Sequence, residues 1–260
     1  MKKLIVAASI LASGAAGASA ADLGATPYTR MSPMIAASYD WSGFYWGVNG
    51  GYGSSRNCWD LVTPAGTLIA AEGCHNATGG VAGGQFGYRT QSYAWVFGFE
   101  AQGDWAGLTG SKVSNSFFLS VPGDVTNRSR IDAFGLFTGQ IGYAWGSTLL
   151  YVKGGAAVTT GRYKDVLTAS GTIVATASDT RVGGTVGVGL EYGFIPGWSF
   201  AVEYDHLFMG SRNDSLSSLG IIPGQPTAGA TVVIDRIRQD VDLITARVNY
   251  TFGGPSIAKY

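Results

Sequence analysis

Acid–base catalysis needs two titratable side chains facing one substrate, and the chain offers two arrangements of that kind. Glu100 and Asp104 stand four residues apart, on one face of any strand running through them. They can work on a substrate only if one reaches that face, and pairing with nearby cations is the simpler role. Asp205 and His206 are adjacent, so in a strand they point to opposite faces and cannot act as a dyad. Gly184, Gly187 and Gly189 have the spacing of a phosphate-cradling loop, but no helix follows them and glycine here serves packing. Cys58, Cys74 and His75 are metal-ligand types, yet the neighbours Cys74 and His75 do not easily reach one ion and no fourth ligand is obvious. No catalytic, cofactor-binding or metal-binding residue is therefore assigned, and a non-enzyme is expected. Acceptor triplets at Asn76, Asn127 and Asn213 are short enough to arise by chance.

Composition narrows the field further. Lys plus Arg and Asp plus Glu are 17 each, so no charge argument for nucleic acid is available. The 40 glycines in 260 residues carry no three-residue period, and 46% hydrophobic content is too high for disorder. Residues 1–20 open with Lys2 and Lys3, continue apolar from Leu4 to about Ala16 and end in Ala18-Ser19-Ala20, which reads as a secretory signal peptide. Residues 21–40, with Pro27 and Pro33, read as a periplasmic linker before a domain over 41–260. No later apolar run reaches the roughly 20 residues that a helix needs to cross a bilayer. In an exported protein the only two cysteines, Cys58 and Cys74, are expected to form one local disulfide.

Period-two alternation dominates from Trp41 onward. Tyr93, Trp95, Phe97, Phe99, Ala101, Gly103 and Trp105 share one face; Val96, Gly98, Glu100, Gln102 and Asp104 share the other. Eight such segments occur, at about 43–53, 80–89, 93–105, 131–145, 148–160, 181–194, 197–208 and 239–252. The connections alternate in size. Tight turns fall at 90–92, 146–147 and 195–197, while 54–79, 106–130, 161–180 and 209–238 are long and polar. An even strand number with short turns at one end and long loops at the other predicts an all-β, eight-stranded antiparallel up-and-down transmembrane β-barrel, with periplasmic turns and extracellular loops.

Size decides which face meets lipid. Eight strands about 4.8 Å apart, tilted roughly 40°, give a backbone diameter near 16 Å, too narrow for the bulk of the aromatic face. Aromatics should point outward and glycines and charges inward. Phe44, Trp46, Tyr88, Tyr93, Trp95, Tyr143, Trp145, Tyr192, Phe194, Trp198, Phe200, Tyr250 and Phe252 then fall at the rim beside the short turns, as a periplasmic aromatic girdle. Inside, Glu100, Lys153, Glu191, Glu203 and Arg247 are expected to form a charge network that plugs the lumen, with Asp104, Asp205, Arg89 and Arg181 on the same face.

The run from Tyr39 to Gly47 (YDWSGFYWG) and its continuation VNGGY to Tyr52 are joined by five later motifs. These are Gly84–Tyr88 (GQFGY), Ile141–Trp145 (IGYAW), Tyr151–Gly155 (YVKGG), Gly187–Tyr192 (GVGLEY) and Asn249–Pro255 (NYTFGGP). In order and spacing the set resembles the small outer-membrane β-barrel "porin family" of alphaproteobacteria. The resemblance implies an abundant barrel that supports envelope integrity, with some relatives acting as surface antigens or binding haemin. Two departures stand out. The Cys58/Cys74 pair lies outside the family pattern, and eight residues follow Phe252, so either Phe252 or Tyr260 carries the aromatic signal read by the barrel assembly machinery.

The expected function is structural and interfacial, in contact with outer-membrane lipid and lipopolysaccharide and with any extracellular partner met by the loops. Two alternatives stand beside it: a narrow diffusion channel, and a surface receptor for a ligand such as haemin, for which His75 and Tyr163 are the loop candidates.

Overall fold

The computed structural model describes residues 39–63, 65–114, 125–218, 227–229 and 231–252; the expected signal peptide, most of the linker and Tyr260 lie outside them. Eight strands run β1 (Gly43–Val62), β2 (Leu68–Ser92), β3 (Trp95–Val113), β4 (Val125–Trp145), β5 (Thr148–Leu167), β6 (Ile173–Ile195), β7 (Trp198–Ser218) and β8 (Thr231–Phe252). Each pairs antiparallel with the next, and β1 closes on β8, giving an up-and-down barrel. Near the short turns every strand is paired on both sides, as hydrocarbon surroundings demand, whereas higher up the β6–β7 ladder is interrupted between Thr176 and Gly184.

The strands are much longer than the alternation suggested. At roughly 2.5 Å of height per tilted residue, twenty residues rise about 50 Å, twice the 25 Å apolar band of such barrels. Only the ten or so residues of each strand nearest the short turns face lipid. Most of the polar stretches expected as loops are the upper halves of strands, and two of the connections shrink to 63–67 and 168–172. Their periodicity was hidden because the outward face above the membrane is itself polar, and because bulges at Ile131/Ala133 on β4 and Phe208/Ser211 on β7 shift the inward register by one. The first tight turn also moves, from 90–92 to Tyr93-Ala94, where Tyr93 takes φ +56°. Gly146 (φ +60°) and Gly197 (φ +78°) supply the same left-handed geometry in the other two turns without a Cβ penalty.

The interior is stacked in layers. At the short-turn end Tyr39 and Trp41, from the chain just before β1, are tucked inside against Val96, Ala144, Leu149 and Tyr151. Trp41 N–H donates to Gln91 Oε1 (3.0 Å), and the Tyr39 ring occupies the space that a Cβ on Gly193 would fill. Tyr39 and Trp41 are thus internal filling, where the linker reading had left Tyr39 outside the barrel. Above this lies a polar layer and then an apolar one, which includes Leu108, Ile131, Phe134, Leu136, Leu207 and Leu243. A third cluster, Trp59, Tyr163, Ala175, Leu216 and Ile237, fills the barrel beyond the membrane. The expectation of aromatics outward with glycines and charges inward is corrected for Tyr39, Trp41, Trp59, Phe134, Tyr151 and Tyr163, which occupy volume that inward glycines release.

Candidate functional site: the lumen and its rim

The polar layer is built by strand positions that all face inward. Lys153 on β5 reaches Glu203 (2.6 Å) and Asp205 (3.3 Å) on β7 and Glu100 (3.4 Å) on β3. Arg247 on β8 meets Glu100 at 2.7 Å and Glu203 in direct contact. Four of the five expected network residues therefore touch one another across the barrel axis. Glu191 does not join them. It pairs with Arg89 (2.8 Å), accepts from Asn249 Nδ2 (2.8 Å) and contacts Ser199 Oγ, forming a second group nearer the short turns. All these side chains are buried; Arg89 offsets Glu191 in the second group, while in the first Lys153 and Arg247 are shared among Glu100, Glu203 and Asp205, so each buried carboxylate has a cation within reach.

Two tyrosines connect the groups, and sequence reasoning missed both because it sent aromatics outward. Tyr45 O–H donates to Glu100 Oε2 (2.7 Å), accepts from Gln140 Nε2 (3.0 Å) and lies under the Arg89 guanidinium at 4.2 Å. Tyr151 O–H donates to Glu203 Oε2 (2.6 Å). Each fits because a glycine faces it: a Cβ on Gly87 would come within 2.6 Å of the Tyr45 ring, and one on Gly189 within 2.3 Å of the Tyr151 ring. The legible signal was position, since Tyr45 sits opposite Gly87 in register and Tyr151 opposite Gly189.

Asp104 accepts from Gln102 Nε2 (2.8 Å) inside the barrel, and four residues away Glu100 is held by cations. Asp205 points in toward Lys153 while His206 Nδ1 pairs outside with Asp242 (2.7 Å), so the neighbours do not meet. Gly187 and Gly189 pack against Asp205 and Tyr151. His75 is half-buried and bonded to Ser129 Oγ (3.0 Å), and Tyr163 is buried edge-on to Trp59 (5.6 Å), so neither is an exposed loop ligand as the haemin reading needed. Cys58 and Cys74 form the disulfide, directly opposite each other on β1 and β2 above the membrane.

Beyond the bilayer, the inward face carries a second set of charges. Arg181 pairs with Asp179 (3.0 Å) and contacts Asp214, and its Nη1 donates to Ile237 O (2.8 Å). Beside it, Asn127 Nδ2 donates to Glu72 (2.5 Å). Burial, with the Glu72 charge adding to it, pushes the Asp165 carboxyl up to about 8. Burial followed by Glu72, Asp165 and Asp214 pushes Asp235 up to about 9. Burial, partly offset by Arg181, raises Asp214 to about 6. This acidic group was invisible in the sequence because its members come from four strands.

On the outside, the thirteen rim aromatics are exposed except Tyr250, which is half-buried between Trp198 (5.1 Å) and Phe252 (5.1 Å). Neighbouring rings touch along the rim, as Phe44 with Tyr88 (4.8 Å) and Trp95 with Tyr143 (5.5 Å) do. Higher up, Phe99 and Trp105 are about three-quarters exposed. In water so many exposed large apolar side chains would drive aggregation; in lipid they are the solvated face.

A closed eight-stranded barrel, apolar outside and charged inside, is an outer-membrane β-barrel protein. The chain belongs to the outer membrane protein beta-barrel domain family, which matches residues 6–252. It is 29% identical over 224 residues to the 31 kDa outer-membrane immunogenic protein of Brucella melitensis, covering 81% of this chain and 89% of that one. Among solved structures it resembles the outer membrane protein OprG of Pseudomonas aeruginosa, with TM-score 0.50, 12% identity, and coverage of 83% of this chain and 98% of that one. The attachment invasion locus protein Ail of Yersinia pestis is also similar, with TM-score 0.39, 14% identity, and coverage of 81% and 99%. The family match and the Brucella relative place the chain in the bacterial outer membrane.

Proposed function

We propose that the chain is a non-conducting, surface-exposed structural barrel of the cell envelope. The observation that carries this reading is the buried set joining Lys153 and Arg247 to Glu100 and Glu203. Tyr39 and Trp41 lie below it and the Leu108–Leu243 layer above it, so water and ions meet three successive obstructions. An open channel belongs to barrels with more strands. The immunogenic Brucella relative supports exposure of the upper strands at the cell surface. Lipid around the short-turn rim, lipopolysaccharide around the opposite end of the apolar band, and the assembly machinery reading Phe252, exposed at the end of β8, or Tyr260 are the partners this role implies.

Planar-bilayer recording of the purified protein tests it. No steady unitary openings are expected, and regular ohmic steps from the unaltered chain would instead establish the narrow diffusion channel. Cells lacking the chain should become sensitive to detergents and recover when it is restored.

A further inference from the structure

The outward charges above the membrane are arranged differently on two sides of the barrel. Where β1 meets β8, opposite signs face each other: Arg56 is in register with Asp240, and Asp60 with Arg236. Where β4 meets β5, like signs do. Arg128 lies directly opposite Lys164, and Arg130 directly opposite Arg162. Like charges facing across a ladder repel and destabilise it. Only Asp132 relieves this, at 2.7 Å from both Arg130 and Arg162; among the described residues neither Arg128 nor Lys164 has a carboxylate partner. The adjoining positions are hydroxyl-bearing, with Ser111 beside Arg128, Thr109 beside Arg130 and Ser178 beside Arg162. The four cations, Thr109 and Ser111 line one open concavity of about 440 Å³.

Height identifies what this face meets. Trp105, exposed at the upper limit of the apolar band, is in register with Ala133, and Arg130 and Arg128 lie three and five residues further along the same strand. At about 2.5 Å per residue, the two cationic rows stand roughly 8 and 13 Å past the indole, in and just beyond the headgroup layer. Guanidinium pairs bind phosphate through paired charge-assisted hydrogen bonds. We propose that the β3–β6 face binds the phosphorylated sugar headgroup of an outer-leaflet glycolipid, whose phosphate oxygens accept from Arg128, Arg130, Arg162 and Lys164. Two rows of cations suit a headgroup carrying phosphates at more than one depth, and the ligand supplies the anions that the ladder lacks. The inference rests on the barrel's place in the outer membrane.

The test extracts the full chain from outer membranes in mild detergent and measures co-purifying glycolipid by phosphate content and native mass spectrometry. Arg128→Gln with Lys164→Gln should retain about tenfold less, the factor set by about 1.4 kcal/mol of lost contact. Arg56→Gln with Arg238→Gln, an equal charge change on the opposite side, should retain the wild-type amount. Equal retention by both double variants overturns the proposal. Should the first variant not fold, the unaltered protein in phosphatidylcholine vesicles doped with lipid A or with dephosphorylated lipid A decides. Thermal stabilisation by lipid A alone supports the site; the same response to both, to inorganic phosphate or to soluble heparin overturns a lipid occupant. Heat-modifiable gel mobility, read on every sample, reports independently whether the barrel itself is formed.

Discussion

Replacing Arg247 with Leu is the sharpest probe of the lumen. The guanidinium touches Glu100 and Glu203, with Tyr151 O–H at 3.4 Å from its Nη1, and its side chain is fully buried. Removing it leaves two buried carboxylates, and Asp205 beside them, with Lys153 as their shared cation. Breaking a buried pair from one side costs about 3–5 kcal/mol, because the remaining charge stays desolvated. With a urea slope of about 2 kcal/mol/M, the unfolding midpoint should fall by about 2 M. Equilibrium unfolding in lipid vesicles, followed by tryptophan fluorescence and gel mobility, measures this. Adding Glu203→Gln to Arg247→Leu should return at least about 1 kcal/mol of coupling, since one of the stranded charges is removed with its partner. A single-variant cost below about 0.5 kcal/mol, or strict additivity of the two substitutions, would refute the view that these charges hold the barrel wall together.

Trp41→Ala should cost about 3 kcal/mol from lost packing and admit iodide quenching of fluorescence at the short-turn end; an unchanged unfolding midpoint would count against the internal seat of Tyr39 and Trp41. Gly189→Leu should prevent the Tyr151 ring from seating, at a cost of about 2 kcal/mol or more, while Gly189→Leu with Tyr151→Ala regains part of it in the same assay. Asp165 and Asp235, raised to about 8 and 9 in the folded chain and near 4 when unfolded, favour the folded state fully below about pH 4. That contribution is lost as pH climbs through 8 and 9, so proteolysis of the upper barrel should accelerate in mild alkali, and Asp235→Asn should flatten the profile. Reducing Cys58–Cys74 should raise protease sensitivity of the β1–β2 tip while leaving heat-modifiable mobility intact, because the strands remain paired below it.

What could be read from the residues was whatever depends on a period of two against a uniform solvent. Near the short turns lipid is that solvent, so Phe44, Trp46, Trp95, Tyr143 and Phe200 announced the outward face, and eight strands with closure followed. Above the membrane both faces are polar at many positions, and the bulges near Ala133 and Ser211 break the parity, so strands there looked like loops. Inside, Glu100, Lys153, Glu203 and Arg247 could be grouped by face and charge. Glu191 could not be separated from them, because its distance from Lys153 depends on strand stagger around the circle, which no single segment encodes. Tyr39 and Trp41 follow no alternation at all, and their inward placement rests on tertiary packing against Val96 and Leu149.

The doubled height of the barrel carries a consequence for immune recognition. An antibody approaching from outside meets ladders, with short connectors such as 63–67 and 168–172 between them. Neighbouring outward positions such as Ser111, Arg128 and Lys164 come from distant parts of the chain. Epitopes on these ladders are therefore conformational: antibodies against the ladder face should lose most of their binding once the barrel has been boiled, and short linear peptides from single strands should compete poorly.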